Sequence, residues 1–475
     1  MKIDITESIL LKIGAIADKH GVQVYVVGGY VRDYFLNRPR TDIDCTVCGD
    51  AIEFANLVAK EFRSKIVVYE RFRTALIPIG NHNIEFVGTR KEQYEINSRK
   101  PITSEGTLED DLKRRDFTVN AMAASINKNT LGEVVDLFNG YEHLKQELLI
   151  TPLDPVTTFS EDPLRMMRAA RFAAQLNFKI AENAMEAMSQ MASRISIISQ
   201  ERITDEFLKI LSAKRPSIGI SVLNKVGLLQ YIFPELAALQ GVEAIENDSG
   251  KRFSHKDVFW HSITVLDNVA AKSDNIWLRF VALTHDIGKL KTKKFIENSG
   301  WHFFGHEEVG SHMMYKLFKK FKLPLEKLPY VKLLIRLHLR PMQLVDNEVT
   351  DSAVRRLAFQ AGDALEDLFL LCRSDITSKN IELTQQYLNN YDIVTQKVID
   401  VQEKDKLRNF QSPIRGEEIM EICNIMPCRL VGIIKSNIEN AILDGIIPND
   451  YDAAKEFFLE HKEQWLSENK DYITR

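Results

Sequence analysis

Hydrophobic spacing changes character near residue 150, and no other feature of the chain restricts its fold as much. Before that point short apolar runs alternate with helical stretches. VQVYVV (22–27) reads as a buried strand ended by Gly28 and Gly29, and a helix follows from about Val31 to Leu36. TDIDCTVC (41–48) is the next strand and 51–63 a second helix. KIVVY, TALIPIG and NIEFVGT are further strands, the last two joined by a turn at Asn81-His82-Asn83. From residue 160 onward strand signals nearly vanish: DPLRMMRAARFAAQLNF, ENAMEAMSQMA and ERITDEFLKIL carry apolar residues at helical spacing. A polar loop near GVEAIENDSGKRFSHKD (241–257) precedes a second helical block that runs to the C-terminus. The expected fold is α+β: a small α/β domain with an antiparallel or mixed sheet over 1–150, a helical segment over 151–250 and a helical domain over 251–475.

Bulk properties exclude some classes. A chain of 475 residues, 45% hydrophobic and 27% charged, is long enough for several cores and has an ordinary globular balance. No apolar run approaches the roughly 18–20 residues that span a bilayer. The N-terminal MKIDITESILLKIGAIADKHG carries Asp4, Glu7, Lys12, Asp18 and Lys19. A secretory segment is not charged in that way, so the reading is an amphipathic helix in a cytoplasmic protein with no membrane partner. Five cysteines do not make a disulfide framework. Cys45 and Cys48 form a C-x-x-C, but odd spacing on a strand turns them to opposite faces. The net charge of −4 means that any nucleic acid must be met by a local basic surface. Oligomeric state is not legible.

The most informative string is VVGGYVRDYFLNRPRTDIDCTV. Asp42 and Asp44, two apart on a strand, point to one face, where like charges repel. A divalent cation resolves that repulsion, and hard Mg²⁺ takes carboxylate oxygens together with those of a triphosphate. A solvated D-x-D at a strand end is the plainer alternative. Gly28 and Gly29 permit close backbone approach to a phosphate just before a helix, and Arg32 in the first turn of that helix can fork onto it.

This combination resembles the head domain of nucleotidyltransferases related to DNA polymerase β, and more narrowly the family of class II tRNA nucleotidyltransferases and bacterial poly(A) polymerases. The resemblance implies a polymerase-β-like nucleotidyltransferase head domain (1–150), a helical neck for nucleobase and tRNA (151–250) and a helical body (251–475). It also implies Asp42 and Asp44 as the catalytic carboxylates holding Mg²⁺. A third carboxylate is usual on a later strand, and Glu85 is the best candidate, with an exposed strand glutamate the equal alternative. LKRRDFTVNAMA (112–123) is similar to the family's second motif, with Arg114, Arg115 and Asp116 suited to ribose and triphosphate. VVDLFNGYEHLKQELL (134–149) resembles a flexible head-domain loop with Asp136 and Gly140, and EDPLRMMRAARF and SQERITDEFLKIL resemble the neck motifs.

In the first neck motif Asp162, Arg165, Arg168 and Arg171 are three apart, neighbours along one helix face. Clustered arginines call for an anion, or else form a solvated basic face. Asp162 offers only acceptors and Arg165 only donors. Cytosine and adenine both present an amino donor and a ring-nitrogen acceptor, and uracil and guanine reverse that order. One Asp/Arg pair can therefore accept CTP and ATP and leave buried groups unpaired against UTP and GTP. In the family, residues matching Asp162 and Arg165 read the base, and those matching Arg168 and Arg171 help to bind nucleotide. Gly29, Arg32 and Arg115 complete the expected nucleotide site.

The second half holds His261, the pair His285-Asp286 in THDIGK, His306, His338 and Asp375. The order resembles the HD phosphohydrolase superfamily, an all-helical fold, and implies a transition-metal site of those six residues. The expected activity is addition of C, C and A to tRNA 3′ ends from CTP and ATP, with pyrophosphate released. Relatives that add only A, only CC, or poly(A) tails are the near alternatives. A metal-dependent phosphohydrolase acting on RNA ends or nucleotides is the distant one.

Overall fold

The computed structural model describes residues 1–40, 43–70, 73–93, 102–246, 252–344, 350–378, 380–405 and 412–469. The chain forms two compact units: residues 1–240 with 320–323, and residues 241–319 with 324–475.

The first unit is built on strands β1 (Gln23–Val27), β2 (Ile43–Cys48), β3 (Val67–Tyr69), β4 (Thr74–Ile79), β5 (His82–Gly88), β6 (Arg90–Gln93), β7 (Ile102–Glu105), β8 (Met122–Ser125) and β9 (Val134–Asp136). Seven of these make one sheet in the order β3-β4-β5-β2-β1-β8-β9, and β6 and β7 pair as a separate ribbon. The sheet is mixed: β2 and β5 run parallel and the other neighbours antiparallel. Alternation along β2 buries Ile43, Cys45 and Val47 and leaves Asp44 exposed on the other face. The β4–β5 turn lies one residue earlier than the sequence suggests. Ile79 pairs with His82, and Gly80 at φ 59° takes the first place of a two-residue loop, a position that favours glycine.

Helices α1 (Ser8–Lys19), α2 (Gly29–Phe35), α3 (Ala51–Phe62), α4 (Leu108–Lys113) and α5 (Gly140–Lys145) accompany the sheet. Phe54 of α3 meets Phe86 of β5 edge-on, with ring centroids 5.7 Å apart. That packing lies on one sheet face, and Asp44 is exposed on the other. The helices α6 (Pro155–Glu161), α7 (Leu164–Leu176), α8 (Glu182–Met191), α9 (Gln200–Leu211) and α10 (Pro216–Lys225) follow. Gly219 lets α10 lie close to α7, for a Cβ there would stand 3.0 Å from the Ala170 carbonyl oxygen.

The second unit is mainly helical, with Val258–Ala270, Ile276–Thr284, Leu328–Leu337, Asp351–Ala361, Leu365–Asp375 and Ile381–Asp405 around its first part. Two ribbons interrupt the expected run of helices: Ala244–Glu246 with Arg252–Ser254, and Lys294–Ile296 with Gly300–His302. Three-residue strands carry too little periodicity to be seen in sequence. Gly416–Cys423, Arg429–Leu443 and Tyr451–Glu468 enclose their own core of Ile419, Leu430, Ile434, Ile438 and Phe458.

Candidate functional site

On the open face of the sheet the parallel register sets Asp44 directly beside Glu85. Two carboxylates so placed repel. Burial first, and then the charge of Asp44, push the Glu85 carboxyl above its ordinary range, with Arg90 pulling the other way. Asp42 lies outside the described residues. Asp44 and Glu85 line a cleft of about 980 Å³ whose rim and walls carry ten basic side chains against seven acidic ones.

The basic wall starts where β1 ends. Gly28 sits at φ 63°, and a Cβ there would come within 3.0 Å of Arg115 Nη1, so the glycine lets that guanidinium close over the turn. Arg32 donates to both oxygens of Asp33 at 2.9 and 2.8 Å and to Asn120 Oδ1 at 2.7 Å. Arg115 reaches Asp111 Oδ2 at 3.0 Å, and Arg114 pairs with the other oxygen. Asp111 is fully buried. Burial pushes its carboxyl up, but the charges of Arg115 and Arg114 outweigh that and leave it below the usual range.

Asp162 does not share the helix of Arg165, Arg168 and Arg171, contrary to the expectation from spacing. It occupies the break between α6 and α7 with φ −136° and ψ 99°. Pro163 explains this, since a residue before proline is driven from helical to extended backbone. Asp162 Oδ1 accepts from Leu164 N at 3.1 Å, and Oδ2 lies 3.1 Å from Arg202 Nη2 of α9. Arg165 is buried and donates to the Thr158 carbonyl (3.1 Å), Glu161 Oε2 (3.0 Å) and the Arg114 carbonyl. Arg168 donates through Nε to Asp116 Oδ2 at 2.7 Å. Arg171 Nε lies 3.1 Å from Glu206 Oε2, misaligned so that neither buried atom has a hydrogen-bond partner. Burial and the neighbouring charge of Arg168 both push the pKa of Arg171 down, with Glu206 opposing. Arg32, Arg168 and Arg171 gather around the Phe172 ring at 5.4, 5.3 and 4.3 Å from its centroid.

The cleft thus brings together Gly29, Arg32, Asp44, Arg115, Asp162, Arg165, Arg168 and Arg171. Sequence reasoning assigned no role to Asn120, Phe172, Arg202 or Glu206, which hold or border them. Asp136 and Gly140 do not line it. Instead of a loop they form the end of β9 and the start of α5, where the Asp136 carboxylate accepts from Gly140 N (2.7 Å) and Tyr141 N (3.0 Å).

The second unit gathers the other predicted set. His261 Nε2 lies 2.8 Å from Asp375 Oδ1 and 3.7 Å from Asp286 Oδ2, and His285 Nε2 lies 3.4 and 3.5 Å from the same atoms. His306 and His338 approach the other oxygen of Asp286, Oδ1, at 3.2 and 3.9 Å. Asp286 therefore stands between two histidine pairs. Among the described residues two groups could hold a metal ion: His261, His285 and Asp286, and Asp286, His306 and His338. The Nδ1 atoms face outward to the carbonyls of Ala282, Phe303 and Ile335 and to Thr377 Oγ1. The three carbonyl contacts place the proton of His285, His306 and His338 on Nδ1 and turn Nε2 to the centre. His285 Nε2 and Asp375 Oδ1 are buried without a hydrogen-bond partner, as the donor atoms of a cation site would be. Burial opposes a charge on His285, yet Asp286 and Asp375 push its pKa up to about 9. Burial and His285 hold His338 down to about 4. The donor set of imidazoles and carboxylates fits a divalent transition metal.

Comparison with known proteins identifies the domains in which these residues lie. Residues 24–150 match the Poly A polymerase head domain, 177–240 the probable RNA- and SrmB-binding site of polymerase A, and 258–367 the HD domain. The multifunctional CCA protein of Pasteurella multocida is 35% identical over 320 residues, covering 64% of this chain and 70% of that protein. That of Nitrosococcus oceani is 30% identical over 376 residues, covering 76% and 86%. A CCA-adding enzyme in an apo form superposes with a TM-score of 0.63 at 20% identity, over 96% of both chains, which shows the fold. A tRNA nucleotidyltransferase solved with a primer tRNA and an incoming ATP analogue is 25% identical, with a TM-score of 0.59 over 82% of this chain and 99% of that one. With a nucleotidyltransferase head, a helical neck and an HD domain in that order, the chain belongs to the family of CCA-adding tRNA nucleotidyltransferases and bacterial poly(A) polymerases.

Proposed function

We propose that the chain builds the C-C-A end of tRNA from CTP and ATP, releasing pyrophosphate and copying no nucleic-acid template. One observation carries this: the acidic pair Asp44–Glu85, the arginine wall and the candidate base-reading pair Asp162/Arg165 share one cleft. The curated relatives are multifunctional CCA proteins, and a solved relative holds primer tRNA and an ATP analogue. Residues 1–150 act as the nucleotidyltransferase head, 151–250 as the neck that reads base and tRNA, and 251–475 as the HD-type body.

The reaction is metal-dependent. Asp42 and Asp44, joined by Glu85, would hold Mg²⁺, which would supply activation of the attacking hydroxyl and charge compensation for pyrophosphate. Gly29 admits the phosphates, and Arg32, Arg115, Arg168 and Arg171 grip them. Arg171, buried and repelled by Arg168, gains most from an incoming anion. Three of the five N–H groups of Arg165 are committed to protein acceptors, which fixes its plane and leaves donors for a ring nitrogen. Asp162 accepts the amino group of cytosine or adenine. The test is incubation with tRNA lacking its last three nucleotides, CTP, ATP and Mg²⁺. Extension by three nucleotides supports the reading, and addition of A alone, CC alone or a long A tail identifies a specialised relative instead.

The HD centre carries a second reading, a transition-metal phosphohydrolase for RNA ends, favoured by the convergence of four histidine Nε2 atoms on the carboxylates of Asp286 and Asp375. Metal analysis of the purified protein followed by a 2′,3′-cyclic phosphate assay tests it. A metal-free, inactive domain makes this half a structural body for tRNA. No helix among the described residues is long and apolar enough to cross a membrane. The reading places the chain in the cytoplasm, in keeping with its five free cysteines.

A further inference from the structure

The acceptor RNA also needs a seat, and the transferase reading fixes the side from which it comes. In an in-line displacement the attacking hydroxyl and the departing pyrophosphate lie on opposite sides of the phosphorus. Arg32 lies on α2, which packs on β1, β2 and β8, and Arg168 and Arg171 share the Phe172 ring with it, so these arginines stand on the β1 side of Glu85 in the strand order. The RNA 3′ end therefore approaches across β5, β4 and β3. Along that path Val87 shares a face with Glu85, Thr74 pairs with Val87, and Tyr69 pairs with Thr74. All of these line the same cleft, together with Arg90. β3 is the edge of the sheet, and Val67, Val68 and Tyr69 are 45%, 37% and 50% exposed. Strands lie about 4.8 Å apart, so Tyr69 stands two spacings, about 10 Å, from the Glu85 strand.

We infer that Tyr69 is the stacking platform for the nucleobase at the 3′ end of the acceptor RNA, with Arg90 of the same cleft meeting a backbone phosphate. The inference rests on the transferase reading and adds the acceptor's position to it. A stacking platform suits this task because the terminal base changes after every addition, and an aromatic face accepts any base. The basic side chain adds attraction that carries no sequence preference.

The test uses the full chain with Tyr69→Ala, Tyr69→Leu and Tyr69→Phe, and an acceptor RNA bearing 2-aminopurine as its last base. Wild type and Tyr69→Phe quench the fluorophore on binding, whereas Tyr69→Ala and Tyr69→Leu do not. In extension, the alanine and leucine variants raise KM for the RNA about ten-fold and leave KM for CTP and ATP unchanged. Quenching or RNA KM unaltered in both variants overturns the platform. So does a rise in KM shared by RNA and nucleotides, or one that phenylalanine fails to rescue. Quenching needs no catalysis, so the two readings fail separately. Tyr69-dependent quenching without any extension by wild type keeps the platform and sinks the transferase. Extension with no such dependence does the reverse.

Discussion

Arg171 and Asp162 stand in opposite electrostatic positions, and the difference assigns them different tasks. Arg171 is buried, repelled by Arg168 and misaligned with Glu206, so it is poised for an added anion. Asp162 keeps one oxygen on the Leu164 amide and the other on Arg202, which aims the carboxylate without exhausting its acceptors. Asp162→Ala should therefore keep extending RNA but lose about 10- to 100-fold of its rejection of UTP and GTP, because the mismatch no longer strands a buried group. Competition assays with all four nucleotides check this, and Asp44→Ala should instead abolish addition. Asp116 makes a stability prediction. Burial pushes its carboxyl up, but Arg168 and Asn120 outweigh that and hold it below the ordinary range. A folded pKa below the unfolded one gives stability that is present above pH about 4 and lost as pH falls through the folded value. Asp116→Asn should cost about 3 kcal/mol at neutral pH and flatten the acid side of the curve. Urea unfolding from pH 7 to 3 measures both effects.

At the scale of elements, glycines decide how closely site-bearing segments approach. Gly288 has an ordinary φ, but a Cβ there would stand 2.0 Å from the His306 carbonyl oxygen and 2.7 Å from Gly310 N. Gly288→Ala should push the segment after Asp286 away from the helix that begins at His306, destabilising the second unit by about 1–3 kcal/mol or more. It should also lower metal content, measured on the same sample. The sequence makes many of these elements legible, because β1, β2, α3 and α7 carry clean periodicity over five or more residues. The ordered histidines and aspartates are legible too, because a joined His285-Asp286 is a rare local signal. Partners brought by topology are not. Glu85 meets Asp44 only because β5 lies beside β2, and a strand order cannot be counted from one sequence. Glu206 and Asp116 face the α7 arginines from α9 and from the segment after α4, and no spacing within α7 announces either. The Asp162 break was readable in principle from Pro163, but the regular three-residue spacing of the charges masked it.

Across the whole molecule, a net charge of −4 coexists with a cleft whose basic side chains outnumber its acidic ones, so RNA affinity is a local property. Binding should weaken with salt, with a slope of about −0.7 in log K against log salt for each single-strand phosphate neutralised. The larger consequence concerns independence. Among the described residues, every side chain lining the cleft belongs to the first unit, and all six histidine and aspartate groups of the candidate metal centre belong to the second. Substitutions at sites that share no partners usually act additively. His261→Ala removes a donor that is only partly buried and lies 2.8 Å from Asp375, so it should strip the metal and any cyclic-phosphate hydrolysis. It should leave three-nucleotide extension within about two-fold of wild type. Asp44→Ala should do the converse, ending extension while transition-metal content and hydrolysis stay intact. Assaying both variants on truncated tRNA and on a 2′,3′-cyclic nucleotide decides the matter. Loss of extension in a folded His261→Ala protein, verified by unchanged equilibrium binding of CTP, would mean that the metal centre serves the transferase rather than a chemistry of its own.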